Sequence, residues 1–142
     1  MTDTYQLNRF INAQNKLYAD IVSELSQGRK KTHWMWFIFP QIDGLAHSET
    51  AKKYAIKSAL EARAYLSHPV LGKRLIECTR LVLELNDKTA NEIFGTPDDL
   101  KFNSSMTLFK LVATDNDLFK KAIDKYYNGH GCEFTEAIFF RQ

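Results

Sequence analysis

A chain of 142 residues fits a single domain and is long enough to bury most of the apolar surface that its unfolded form exposes. With 44% apolar and 13% aromatic residues it has the material for a core, which excludes a disordered chain. A formal net charge of +2 is too small to make nucleic acid the expected partner, so any anionic ligand has to be held by a local cluster.

From Leu7 to Leu25 the apolar residues Leu7, Phe10, Ile11, Leu17, Tyr18, Ile21 and Leu25 recur at three- and four-residue steps. Gly28 follows them, so the pattern predicts one amphipathic helix with a glycine stop. Gln14 falls on the apolar stripe, either as a buried amide satisfied by backbone groups or as a ligand contact, and Arg9 sits beside it. Arg29, Lys30 and Lys31 suit the negative end of that helix. The run from Trp34 to Phe39 shows no alternation and ends at Pro40 and the turn-rich Gln41-Ile42-Asp43-Gly44. It predicts a buried crossing segment with room for one helical turn.

Ser48 is placed to cap a short helix carrying Ala51, Tyr54 and Ala55. Ser58 and Glu61 make a capping box for a second one, which His68-Pro69 terminates. Pro69 suits the first position of a longer helix lined by Leu71, Leu75, Cys78, Val82 and Leu85. Thr89 and Glu92 repeat the capping box before Gly95, and Thr96-Pro97-Asp98-Asp99 reads as a cap, a first-turn proline and two acids opening a helix through Val112. Asp115 caps the next helix, whose face is Phe119, Ile123 and Tyr126, closed by Asn128-Gly129. The tail from Phe134 to Phe140 adds a last helical turn or two. The expectation is an all-α fold, a single compact domain over residues 1–142 with six to seven helices around a buried aromatic crossing segment.

The first ten residues hold no basic run followed by an apolar stretch, and the longest apolar run, Trp34 to Phe39, is far short of the roughly 20 residues of a membrane helix. A cytoplasmic protein with no membrane association is expected, with Cys78 and Cys132 as reduced thiols. His33, His47, His68 and His130 are scattered, so neither a metal nor a cofactor is expected.

Two windows hold the candidate chemistry. From Lys30 to Gln41 two lysines, His33, Trp34, Trp36 and two phenylalanines fall within twelve residues. An indole offers a flat face on which a base stacks, Lys30 and Lys31 are placed to hold a phosphate, and His33 is the candidate general acid or base. Core packing of both tryptophans, and a structural hydrogen bond for His33, are the competing readings. In the second window, Leu100 to Phe109, Lys101 stands within about one turn of Ser104 and Ser105. Binding of an anionic ligand by these three outweighs a lysine-activated serine nucleophile, for which no oxyanion arrangement is visible.

These windows also carry a family resemblance. Arg9-Phe10 with Ala13-Gln14, the stretch from Gly28 through His33-Trp34-Met35-Trp36-Phe37 to Pro40-Gln41, the segment from Glu61 to Leu75, Ile93-Phe94-Gly95 with Asp98, and Ser104 to Phe109 resemble the bacterial domain-of-unknown-function 1810 family over nearly the whole chain. The resemblance implies a small all-helical fold and no established activity. Some members carry the label calpastatin, but nothing here looks like a disordered protease-inhibitor repeat. The chain departs from the family pattern at Ala46, where a glycine is usual, and at Cys132, where an aspartate three residues before a threonine is frequent. A more distant similarity, to the NAD- and ADP-ribose-processing family typified by a swarming-associated protein, transfers no residue.

The expected function is therefore binding or hydrolysis of an ADP-ribose-like or other phosphorylated nucleotide, such as cleavage of an N-glycosidic bond. His33 would be catalytic, and Gln14, Lys30, Trp34, Trp36, Gln41, Lys101, Ser104 and Ser105 would bind the ligand. The alternative is a non-catalytic interaction module or homodimer in which the Trp-Met-Trp-Phe stretch forms an exposed patch.

Overall fold

The computed structural model describes residues 3–115 and 117–142. Among them it has ten helices and a single isolated parallel bridge, Ile42 with Ile56. In order these are α1 (Asn8–Asn15), α2 (Tyr18–Gln27), α3 (Met35–Ile38), α4 (Glu49–Tyr54), α5 (Ala59–Ser67), α6 (Leu71–Glu84), α7 (Ala90–Phe94), α8 (Asp98–Val112), α9 (Asp117–Tyr127) and α10 (Glu133–Arg141). The all-α expectation holds, with more helices than six or seven, because three of the ten are pieces of four to six residues.

The helix expected from Leu7 to Leu25 is two helices. α1 packs on α3 and α2 packs on α6, so the halves follow different partners and the axis bends at Leu17, which caps α2. Gly28, at φ +76°, closes α2 as expected, its N–H bonding back to the Leu25 carbonyl.

Capping chemistry explains most other boundaries. Ser48 accepts from the Ala51 N–H, and Thr89 with Glu92 forms the reciprocal box. At α5 only half of the expected box exists: Ser58 accepts from the Glu61 N–H, but the Glu61 carboxylate turns instead to Arg9 (2.6 Å) and the Lys57 N–H. Two expectations shift along the chain. His68 Nδ1, accepting from the Val70 and Leu71 N–H groups, starts α6 two residues beyond Pro69. Thr96 does not cap α8, which begins one residue after Pro97.

α8 is the central helix, packing against α3, α5, α7, α9 and α10. Phe102, Ser104, Ser105, Met106, Thr107, Leu108 and Phe109 are all buried, so over that stretch it is packed on nearly every side, with Asn103 left partly open. Two of its hydroxyls fit a helix interior by bonding one turn back, Ser104 to the Leu100 carbonyl (3.1 Å) and Thr107 to that of Asn103 (2.8 Å). Phe39, Phe94 and Phe102 form an edge-and-stack cluster that ties the crossing segment and α7 to the first half of α8. No described helix is long and apolar enough to cross a membrane.

Candidate functional site

The crossing segment is anchored from below by one carboxylate. Glu24, buried on α2, accepts from the Lys31 N–H (2.7 Å), the Thr32 N–H (3.0 Å), the Thr32 hydroxyl (2.7 Å) and Trp34 Nε1 (2.9 Å). Burial alone would raise its pKa, but the donors on Lys31, Trp34 and Thr32 outweigh it and hold the carboxyl at about 2. Trp34 is thereby a core residue, 0% exposed, and corrects its expected role as a stacking surface: neither ring face is open to a ligand. His33 projects from the same turn into solvent, with no hydrogen bond among the described residues.

Gln14 is also interior, 0% exposed. Its amide donates to the Phe37 carbonyl (2.6 Å) and the Tyr65 hydroxyl (3.1 Å), while its oxygen accepts from Arg74 (3.2 Å). Every polar group on it is committed, so it pins α1 to the crossing segment, as the buried-amide reading has it. Ser105 is buried as well, 0% exposed, which corrects the expectation that it would join Lys101 in binding a ligand.

Three of the remaining candidates, Gln41, Lys101 and Ser104, line one groove. This groove of about 580 Å³ has one wall from the start of α8 (Pro97, Leu100, Lys101, Asn103, Ser104), a second from the turn after the crossing segment (Gln41, Leu45, Ala46) and a third from the first turn of α10 (Cys132, Glu133, Phe134). That size falls within the roughly 300–1,000 Å³ usual for small-molecule sites. Gln41 is fixed by the Ile42–Ile56 bridge, its carbonyl accepting from the Ile56 N–H (2.8 Å). A small recess of about 20 Å³, lined in part by Trp36 and Tyr54, shares Gln41, Leu45 and Ala46 with the groove. Trp36 is half-buried and carries the Lys101 ammonium 4.9 Å from its ring centroid.

Lys30 does not line this groove. Its side chain, 7% exposed, lies 2.9 Å from Asp98, whose other oxygen is 3.5 Å from Lys101. Asp98 thus sits between two lysines and links Lys30 to the groove residue Lys101. Two hydroxyl and amide groups on α8 are already engaged: Asn103 donates to the His130 carbonyl (3.0 Å), and Ser104 bonds to Leu100 and lies 3.3 Å from Cys132 Sγ. Lys101 is a hydrogen-bond partner of neither serine among the described residues, which gives a lysine-activated serine no support. Three groups of the groove keep spare bonding capacity: the Gln41 amide and the Glu133 carboxylate make no side-chain hydrogen bond or ion pair among the described residues, and Lys101 has only Asp98. Glu133 and Phe134 were not legible as site residues because the first turn of α10 carries no motif of its own, and Cys132, its N-cap, stood out only as a departure from the family pattern.

A second surface groove, of about 610 Å³, is more basic, with Arg9, Lys52, Lys53 and Lys57 on its walls. Two of those cations serve the fold. Arg9 donates to the Lys53 and Ala55 carbonyls and to Glu61, and Lys57 to the Lys52 carbonyl, so they satisfy the open C-terminal end of α4. No group of three His, Cys, Asp or Glu side chains among the described residues is placed to hold a metal ion.

Comparison with known proteins agrees with the fold. Residues 4–139 match the model of the family described as protein of unknown function (DUF1810). The chain is similar to the conserved hypothetical protein Rv1873 from Mycobacterium tuberculosis, whose crystal structure is known, with 48% identity, a TM-score of 0.96, and coverage of 97% of this chain and 99% of that one. No curated protein matches it significantly. The chain belongs to the DUF1810 family.

Proposed function

We propose that the groove between α8, the turn at Gln41 and α10 binds a small phosphorylated nucleotide of the ADP-ribose kind. The observation that carries this reading is convergence: Gln41 and Lys101, sixty residues apart, line one groove together with Ser104 and Glu133. Lys101, held over Trp36, supplies the positive charge for a phosphate, and the Gln41 amide supplies a donor and an acceptor. Leu100 and Phe134 on the rim are 63% and 76% exposed, large apolar surface that an aromatic base would cover. Of the two grooves this one combines spare polar groups with open aromatic surface.

His33 does not line the groove, so a hydrolytic step at this site would have to use Glu133, its one carboxylate. Binding is the reading that the geometry supports best. The alternative of an interface on the aromatic stretch loses its surface, since Trp34, Met35 and Phe37 are buried and only Trp36 is partly open.

Isothermal titration calorimetry with ADP-ribose and ADP tests the proposal. Micromolar to low-millimolar binding by the wild-type chain, weakened at least tenfold in Lys101→Ala with an unchanged melting temperature, supports it. No heat of binding for either compound, or equal binding by Lys101→Ala, contradicts it.

A further inference from the structure

The groove carries one cation and one carboxylate, and the carboxylate is the group that a pure phosphate site would not contain. Lys101 favours an anion there, whereas Glu133 repels one and loses hydration when a ligand covers it. That cost is offset only where the ligand brings hydrogen-bond donors to the carboxylate. We infer that Glu133 accepts hydrogen bonds from the vicinal hydroxyls of a ribose, making the groove selective for ribonucleotides over deoxyribonucleotides. This rests on the nucleotide reading of the groove and adds the sugar to it.

Three features support the assignment. Two carboxylate oxygens match two adjacent hydroxyl donors, the same logic by which an acidic side chain reads a ribose in dinucleotide-binding folds. Glu133 has no hydrogen bond or ion pair among the described residues, so no internal partner competes for those oxygens. Its neighbours then fit the other parts of a nucleotide: Phe134, next in sequence, offers an open ring for the base, and Lys101 on the α8 wall of the same groove offers its ammonium for the phosphate. A carboxylate also suits the positive end of α10, but Glu136 serves that end without lining the groove, so the helix dipole alone does not account for Glu133 facing the cavity.

The test is calorimetric titration of the full chain with ADP, 2′-deoxy-ADP and 3′-deoxy-ADP, in the wild type and in Glu133→Ala. Glu133 is exposed, so the variant is expected to melt with the wild type. The wild type should bind ADP about tenfold more tightly than either deoxy compound, the size of one or two exposed charge-assisted hydrogen bonds. Glu133→Ala should bind all three alike, with its 2′-deoxy-ADP affinity at or above that of the wild type because a repulsive charge has gone. Equal wild-type affinity for all three, or a discrimination that survives in Glu133→Ala, overturns the ribose assignment and leaves the nucleotide groove standing. Absence of binding by all three overturns the ribose assignment, and if ADP-ribose fails to bind as well, the nucleotide reading falls with it.

Discussion

Removing the Glu24 carboxylate should unfasten the turn that carries Lys30 and Trp34. Four donors converge on it, and they do not weigh equally when it is lost. Lys31 and Thr32 are exposed, so their groups exchange the carboxylate for water, whereas Trp34 Nε1 is sealed in the core and would be left without a partner at a cost of about 1–3 kcal/mol. With the lost charge-assisted bonds added, Glu24→Ala should cost about 3–5 kcal/mol, a drop in melting temperature of about 10–15 °C for a chain of this length. The dependence on pH gives an independent check. The folded carboxyl titrates at about 2 against an ordinary value of 4.5, so between those limits the unfolded chain binds more protons. Stability from this group is therefore complete above about pH 5 and is lost as the pH falls toward 2, amounting to about 3 kcal/mol in all. Glu24→Gln, which keeps the shape and one acceptor, should be less stable than the wild type at pH 7 by about 2–3 kcal/mol, and urea unfolding should show that gap closing steadily from pH 5 to pH 2. A melting temperature of Glu24→Ala within 2 °C of the wild type, or a gap that stays constant over the acid range, would refute the reasoning.

Gln14→Ala should destabilise the chain by about 2–3 kcal/mol in chemical denaturation, since it opens a cavity and strips Arg74 of a partner, while leaving ligand affinity unchanged. The two thiols should separate under a thiol-reactive dye. Cys132, half-exposed in the groove, labels in the native protein, whereas Cys78 is buried, its thiol pushed up to about 12 by burial, and reacts only after unfolding. Saturating ADP should slow the labelling of Cys132. His33→Ala should alter nucleotide affinity by less than twofold in calorimetry, because His33 lies outside the groove.

Periodicity and capping residues carried most of the helical architecture. Thr89 with Glu92, Ser48, Gly28 and Asn128-Gly129 each act where local chemistry places them. Boundaries set by tertiary packing were not legible, as at Leu17, where α1 and α2 pass to different neighbours, and at Glu61, drawn out of its capping box by an arginine fifty-two residues away. The same distinction runs through the site. Spacing brought Lys101 forward and its place at the end of the aromatic window brought Gln41 forward, but neither tells a tryptophan ring open to a ligand from one sealed by a buried carboxylate, nor which of Ser104 and Ser105 faces the groove. Those outcomes depend on Glu24 and on the orientation of α8. Glu133 and Phe134 acquire meaning only once α10 has docked against α8.

The most direct test of the nucleotide groove is a map of backbone amide shifts in an ¹⁵N-labelled chain titrated with ADP-ribose. Saturating shifts confined to Gln41, Leu45, Ala46, the first turns of α8 and residues 132–134 are the predicted result. Shifts gathered instead around Arg9, Lys52, Lys53 and Lys57, or none at millimolar ligand, would contradict it.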